Sequence, residues 1–128
     1  MSSLISFKPR KSSEFETQHP LDKRLNESQR ILLKYPDRIP IIAELQKETP
    51  GFRLDKKKYL VPHDLTVGQF VYILRKRIKL EAESAIYLFI NNTLPPASSL
   101  LSQLYKEHKN QDGFLYITVT QEATFGSV

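Results

Sequence analysis

From Leu21 onward, the apolar or small positions Leu25, Ser28, Leu32 and Tyr35 recur at helical spacing until Pro36 and Asp37 break the run. That spacing predicts an amphipathic helix with Asp22 as its N-cap. Ile39, Ile41, Ala43 and Leu45 then alternate with Pro40, Ile42 and Glu44, a period of two with apolar groups on both sides. It predicts a strand covered on both faces. Pro50 and Gly51 interrupt, and Lys57 to Val61 resumes the alternation as far as Pro62, whose missing N–H favours a strand end or a sheet edge.

Thr66 and Gln69 form a capping-box pattern ahead of Val67, Phe70, Val71, Leu74 and Ile78 on one helical face, with Arg75, Lys76 and Arg77 beside them. Ala85 to Ile90 reads as a buried strand, Asn91 and Asn92 as a turn, and Ser98 as a cap before the helical positions Leu100, Leu101, Leu104 and Tyr105. Asp112 and Gly113 turn into a last strand, Phe114 to Gln121. Helices and strands in this order predict an α+β domain with a helix laid across one face of a sheet. The first dozen residues, among them Lys8, Pro9, Arg10 and Lys11, carry no hydrophobic period and read as a loose arm.

A chain of 128 residues fits one domain, which buries roughly two-thirds of the surface exposed by its unfolded form. With no cysteine, disulfides, thiolate metal sites and cysteine nucleophiles are excluded. The longest apolar runs fall short of the roughly 20 residues that span a bilayer, and a cytoplasmic, monomeric protein is expected. The net charge is +5, concentrated between residues 1 and 80, which hold 17 basic and 9 acidic side chains. A basic pole attracts acidic peptides, anionic headgroups or nucleic acid. Catalysis is disfavoured: there is no phosphate-binding glycine loop and no nucleophile elbow, and His19, His63 and His108 lie apart with no pattern around them. A nucleic-acid binder would use Lys56 to Lys58 and Arg75 to Lys79, with Tyr59 and Tyr72 as stacking platforms, but Glu81 and Glu83 share that space, and no nucleic-acid partner is expected.

The blocks Tyr35-Pro36-Asp37-Arg38-Ile39-Pro40, Asp55 to Pro62, Asp64 to Val71 and Ile73 to Ile78 follow one another in order, and Asn91-Asn92, Leu94-Pro95-Pro96, Gly113 to Tyr116 and Thr124-Phe125-Gly126 continue the series. Together they resemble the autophagy ubiquitin-like modifiers, the family of autophagy protein eight, the GABA receptor-associated protein and the microtubule-associated protein light chain three. Several long blocks in order are far more specific than one short motif. The resemblance implies a ubiquitin-like β-grasp fold with additional N-terminal helices. The chain then divides into an arm over 1–13, a helical subdomain over 14–36, the β-grasp over 37–122 and a flexible tail over 123–128.

By the same resemblance, a cysteine protease trims the chain after Gly126, with Thr124 and Phe125 in its cleft. Separate activating and transfer enzymes, the first using ATP, then join Gly126 to phosphatidylethanolamine on the autophagosome membrane. The chain itself needs no cofactor and no metal. A terminal glycine suits a narrow enzyme channel because it has no side chain.

Receptors and adaptors bearing short aromatic/aliphatic motifs are the implied ligands. An edge strand from Lys58 to Val61 would accept them as an added strand. The resemblance implies an aromatic pocket of Glu27, Ile31, Pro40, Ile42, Lys58, Leu60 and Phe114. It implies an aliphatic pocket of Tyr59, Val61, Pro62, Leu65, Phe70 and Ile73, with Arg38, Lys56 and Lys58 meeting acidic residues that flank the motif. Strand alternation agrees, sending Lys58 and Leu60 to one side and Tyr59 and Val61 to the other. The alternative is a cytoskeletal or vesicle-trafficking adaptor, binding microtubules or another acidic surface through the basic region Lys8 to Arg30.

Overall fold

A computed structural model of the chain describes residues 13–78 and 84–121. The N-terminal arm up to Ser12, Lys79 to Glu83, and the tail that carries Thr124, Phe125, Gly126, Ser127 and Val128 lie outside the described residues. Eight elements follow in order: α1 (Glu14–Gln18), α2 (Leu21–Lys34), β1 (Arg38–Leu45), β2 (Lys58–Pro62), α3 (Val67–Ile78), β3 (Tyr87–Phe89), α4 (Leu101–His108) and β4 (Leu115–Thr120). The strands form one sheet in the order β2-β1-β4-β3. β1 runs antiparallel to β2 and parallel to β4, and β3 is antiparallel to β4.

The two-faced pattern of β1 is realised, because Ile39 to Ala43 are all buried. On one face Ile39, Ile41 and Ala43 join Phe70 and Leu74 of α3, Leu88 of β3, and Leu115, Ile117 and Val119 of β4 in the main core. On the other face Ile42 meets Phe15, Phe114 and Tyr116, with Ile31 packed against them. This second layer is thin, and α1 and α2 cover it.

Thr66 and Gln69 make the expected reciprocal cap of α3: the Gln69 N–H donates to Thr66 Oγ1 at 3.1 Å and the Thr66 N–H to Gln69 Oε1 at 2.9 Å. Asn91 and Asn92 both take positive φ, 49° and 64°, the left-handed conformation that asparagine tolerates in turns. Three expectations are corrected. Asp22 is not the cap of α2; Pro20 is, its carbonyl accepting from the N–H groups of Lys23 and Arg24, while Asp22 sits in the first turn beside the positive end of the helix dipole. Ser98 does not cap α4, which starts at Leu101 with its N–H donating to Leu65 O. The strand expected over Ala85 to Ile90 shrinks to Tyr87–Phe89, because only these residues find partners in β4.

Tyr59 and Tyr116 are 7% and 6% exposed. Burial pushes both phenol pKa values up from 10.0, and for Tyr116 the hydrogen bond to Asp112 adds to it. A proton held more tightly in the folded state contributes its full stabilisation below the unfolded pKa and loses it as pH rises beyond that value. Stability should therefore be level up to about pH 9 and fall above about pH 10, by at most about 1.4 kcal/mol per pH unit for each tyrosine and only until its folded-state pKa is passed. Urea unfolding midpoints across this range check it, and a midpoint unchanged at about pH 11 would contradict it.

Candidate functional site

Among the described residues β2 pairs with β1 alone, so it is an edge strand. Which of its backbone groups are free follows from the ladder. Ala43 N–H donates to Lys57 O at 2.8 Å, and His63 N–H to Asp37 O at 3.3 Å. Hydrogen-bonded pairs in an antiparallel ladder alternate with unbonded ones, and with the register Ile41 to Tyr59 and Ile39 to Val61 the amides of Tyr59 and Val61 face β1. The N–H and C=O groups of Lys58 and Leu60 therefore face outward. Pro40 lies opposite Leu60, an unbonded position, so its missing N–H removes nothing from the β1–β2 ladder.

Side chains alternate across the strand. Lys58 reaches toward α2, its Nζ 2.6 Å from Glu27 Oε2, and sits 5.6 Å from the centroid of the Phe15 ring. Pro40 and Ile42 are opposite Leu60 and Lys58. The predicted aromatic pocket is thus gathered on the α2 face of the edge, but in two layers. Pro40, Ile42 and Phe114 are completely buried beneath Leu60, Ile31, Glu27 and Lys58, which keep partial exposure. Phe15, absent from the sequence reading, is part of this floor: it is 3% exposed and meets Phe114 edge-on at 5.7 Å. Its signal was available in the capping box of Ser13 and Glu16 that starts α1.

On the opposite face Tyr59 and Val61 point into the main core, where Tyr59 packs edge-on against Phe70 at 5.3 Å. Phe70 has no exposed surface. Of the predicted aliphatic pocket, Pro62 is exposed and Leu65 and Ile73 are half-buried, so these three are the accessible members. A cavity of about 480 Å³ lies next to Ile73, lined also by Asp55, Tyr72, Lys76 and Arg77, four residues that the sequence reading did not place in a pocket. Tyr72 is 60% exposed with Lys76 Nζ 4.6 Å over its ring. The i, i+4 spacing of Tyr72 and Lys76 was the available signal.

The edge is cationic. Lys56 Nζ lies 5.2 Å over the Tyr59 ring and Arg77 pairs with Asp55 at 3.2 Å. Lys57 pairs with Glu14 and, at 3.4 Å, with Glu44. Burial acts to lower the Lys57 pKa, but the two carboxylates together outweigh it and hold the ammonium charged. Arg38 is exposed and makes no ion pair among the described residues. Of the residues expected to meet acidic flanks, Arg38, Lys56 and Lys58 are all exposed, and Lys58 is already paired with Glu27. The stacking role considered for Tyr59 on nucleic acid is ruled out by its burial. Among the described residues no cluster of metal-ligating side chains occurs, and the three histidines stay apart, His19 against Phe15 and His108 beside Asn91.

A helix packed across a mixed four-stranded sheet, extended by two N-terminal helices, defines the class as ubiquitin-like with an added helical layer. The chain belongs to the Atg8 family: the family model described as "Autophagy protein Atg8 ubiquitin like" matches residues 23–126. Autophagy-related protein 8a of Arabidopsis thaliana is 59% identical over 116 residues, covering 91% of this chain and 95% of that protein. Autophagy-related protein 8 of Penicillium rubens is 55% identical, with 91% and 98% covered. Among solved structures, Atg8 of Trypanosoma brucei superposes with a TM-score of 0.82 at 44% identity, covering 91% of this chain and all of that one. Plasmodium falciparum Atg8, in complex with a P. falciparum Atg3 peptide, gives 0.80 at 32%, covering 89% and 100%. The protein is accordingly an autophagy-related ubiquitin-like protein.

Proposed function

We propose that this chain is a modifier trimmed after Gly126 and joined there to phosphatidylethanolamine, and that it recruits proteins to the autophagosome membrane by adding their short aromatic/aliphatic motifs to the free edge of β2. The observation that carries the recruiting role is the pair of outward-facing peptide groups at Lys58 and Leu60, set between an apolar patch on the α2 face and another beside α3. An extended peptide placed there gains backbone hydrogen bonds for affinity and two side-chain contacts for specificity. Each large apolar side chain removed from water contributes about 1.5 to 3 kcal/mol before ordering costs, which suits moderate, reversible binding. Arg38, Lys56 and Lys58 favour ligands with acidic flanks, mainly by speeding encounter.

A lipid joined at Gly126 supports an anchored protein: two acyl chains suffice for stable attachment, and no helix among the described residues is long and apolar enough to cross a membrane. The family match extends to Gly126. The relative solved with an Atg3 peptide supports a segment of the transfer enzyme as one occupant of such a site. The remaining partners in this reading are the trimming protease, the activating enzyme, and receptors and adaptors, with microtubules as a further surface for the basic N-terminal region.

Amide hydrogen exchange tests the recruiting role. In the free protein the Lys58 and Leu60 amides should exchange quickly while those of Tyr59 and Val61, which face β1, should be protected. A short peptide carrying an aromatic and an aliphatic residue should slow Lys58 and Leu60 at least tenfold and leave Tyr59 and Val61 unchanged. Binding without that selective protection would place the peptide elsewhere.

A further inference from the structure

The helix that walls the aromatic pocket is attached in an unusual way. The two buried residues of α2 are Arg24 and Ser28, both polar, and Ile31 is its one contribution to the small apolar layer. Apolar contact is non-directional, so so thin a layer does not by itself fix where the helix sits. Hydrogen bonds, by contrast, constrain both distance and angle.

Most of those bonds converge on one residue. Asp112 is completely buried. Its Oδ2 accepts from Arg24 Nη1 at 2.7 Å and from the Tyr116 hydroxyl at 2.5 Å, and its Oδ1 accepts from Phe114 N–H at 2.9 Å. The Ser28 hydroxyl donates to Asp112 O at 2.5 Å. Arg24 also donates from Nε to His19 O at 2.8 Å, tying the α1–α2 junction to the same point. Gly113, at φ 89°, leaves room for this approach, since a Cβ there would collide with Ser28 Oγ. Burial acts to lower the Arg24 pKa, and the hydrogen bonds and charges of Asp112 and Tyr116 together outweigh it.

Asp112 thus links the pocket's two sides. One and two turns beyond Arg24, α2 carries Glu27 and Ile31, the wall; two residues beyond Asp112 lies Phe114, the floor. We propose that Arg24 and Asp112 are positioning residues for the aromatic side chain of the ligand, setting the spacing between wall and floor through their buried ion pair. This rests on the peptide-binding reading above. The network touches no ligand itself; it acts through Ile31, Glu27 and Phe114, and it leaves the aliphatic side of the edge alone.

The test is a two-by-two comparison by calorimetry. Two peptides are used, one with tryptophan at the aromatic position and one with alanine, each with the same aliphatic anchor. Wild-type chain should prefer the tryptophan peptide. Asp112→Asn keeps the acceptor for Phe114 but turns an amide N–H₂ toward Arg24, and it should cut that preference about tenfold while changing affinity for the alanine peptide less than twofold. Leu104→Ala, a comparable loss of stability in the main core, should keep the wild-type preference. An unchanged preference in Asp112→Asn, or an equal loss in Leu104→Ala, would overturn the proposal. Should Asp112→Asn fail to fold, Ser28→Ala removes one bond of the network and should reduce the preference about threefold; an unaltered preference there is equally fatal.

The free protein gives a readout that does not need a peptide. The Ile31 methyl resonances should move in Asp112→Asn and stay put in Leu104→Ala. A wild-type chain that binds neither peptide would defeat the recruiting role, while the Ile31 shifts would still report whether Asp112 places α2; unmoved Ile31 signals defeat the positioning role alone.

Discussion

A Gly126→Ala chain incubated with the family's protease, activating and transfer enzymes, ATP and phosphatidylethanolamine vesicles should keep its encoded mass. The wild-type chain should lose Ser127 and Val128 and then gain the mass of one phospholipid. The expected difference is close to all or none, because in the proposed reaction the added methyl group sits on the residue whose carboxyl group takes part in every step. Glycine reaches backbone conformations that a Cβ forbids, and a channel shaped to its backbone rejects even alanine. Intact-mass spectrometry reads both steps in one sample. Trimming and lipid gain at wild-type rate in Gly126→Ala would remove this residue from the chemistry and, with it, the membrane-anchoring part of the proposed function.

Tyr59 and Leu60, neighbours on the open strand, should separate stability from binding. Tyr59 is 7% exposed and packed edge-on against Phe70 in the main core, so Tyr59→Ala should cost about 3 to 5 kcal/mol, the usual range for truncating a buried aromatic. That is a large share of the roughly 5 to 15 kcal/mol that stabilises a domain. Its buried hydroxyl has no hydrogen-bond partner within bonding distance among the described residues, which offsets part of the loss, and Tyr59→Phe should be close to neutral. Leu60 is half-buried on the other face, and Leu60→Ala should cost under about 1.5 kcal/mol of stability while weakening the aromatic/aliphatic peptide at least tenfold. Urea melts and calorimetry on the three variants decide it; equal destabilisation by Tyr59→Ala and Leu60→Ala would contradict the facing assigned to the strand. Replacing both residues together, an obvious choice from sequence, confounds the two effects.

Where a residue's role is set by near neighbours, the sequence was enough. The covered faces of β1, the reciprocal cap at Thr66 and Gln69, and the Asn91–Asn92 turn are all local patterns with a period or a fixed offset. The edge position of β2 was legible through Pro62, because a residue without an N–H fits a strand border. The order of helices and strands predicted the sheet with α3 across it.

Other features depend on segments that meet only in the fold. Ser98 looked like a cap, yet α4 satisfies its first N–H with Leu65 O, and the carbonyls of Ala97 and Ser99 serve Gly68 and Val67 of α3. A two-way exchange between a loop and two helix ends leaves no mark on one stretch of sequence. Arg24 and Asp112 are 88 positions apart, and a single buried ion pair has no periodicity to betray it. The structure brings the residues assigned to the two pockets together on either side of β2 but does not leave all of them as surface: Phe70, Phe114 and Ile42 are apolar residues whose burial is complete, and pattern alone does not distinguish a floor from a rim.

The brevity of β2 carries a consequence for solubility at a crowded membrane. An uncovered strand invites copies of the same chain to stack edge on edge, a route to fibrous assemblies. Here the uncovered stretch offers two complete peptide units before Pro62 withdraws its donor, and the positive side chain of Lys56, which makes no ion pair among the described residues, would confront its own duplicate across any such seam. A short acidic guest meets neither obstacle, so in the anchored state proposed above many copies could be held close together on one bilayer while each stays available to a different visitor.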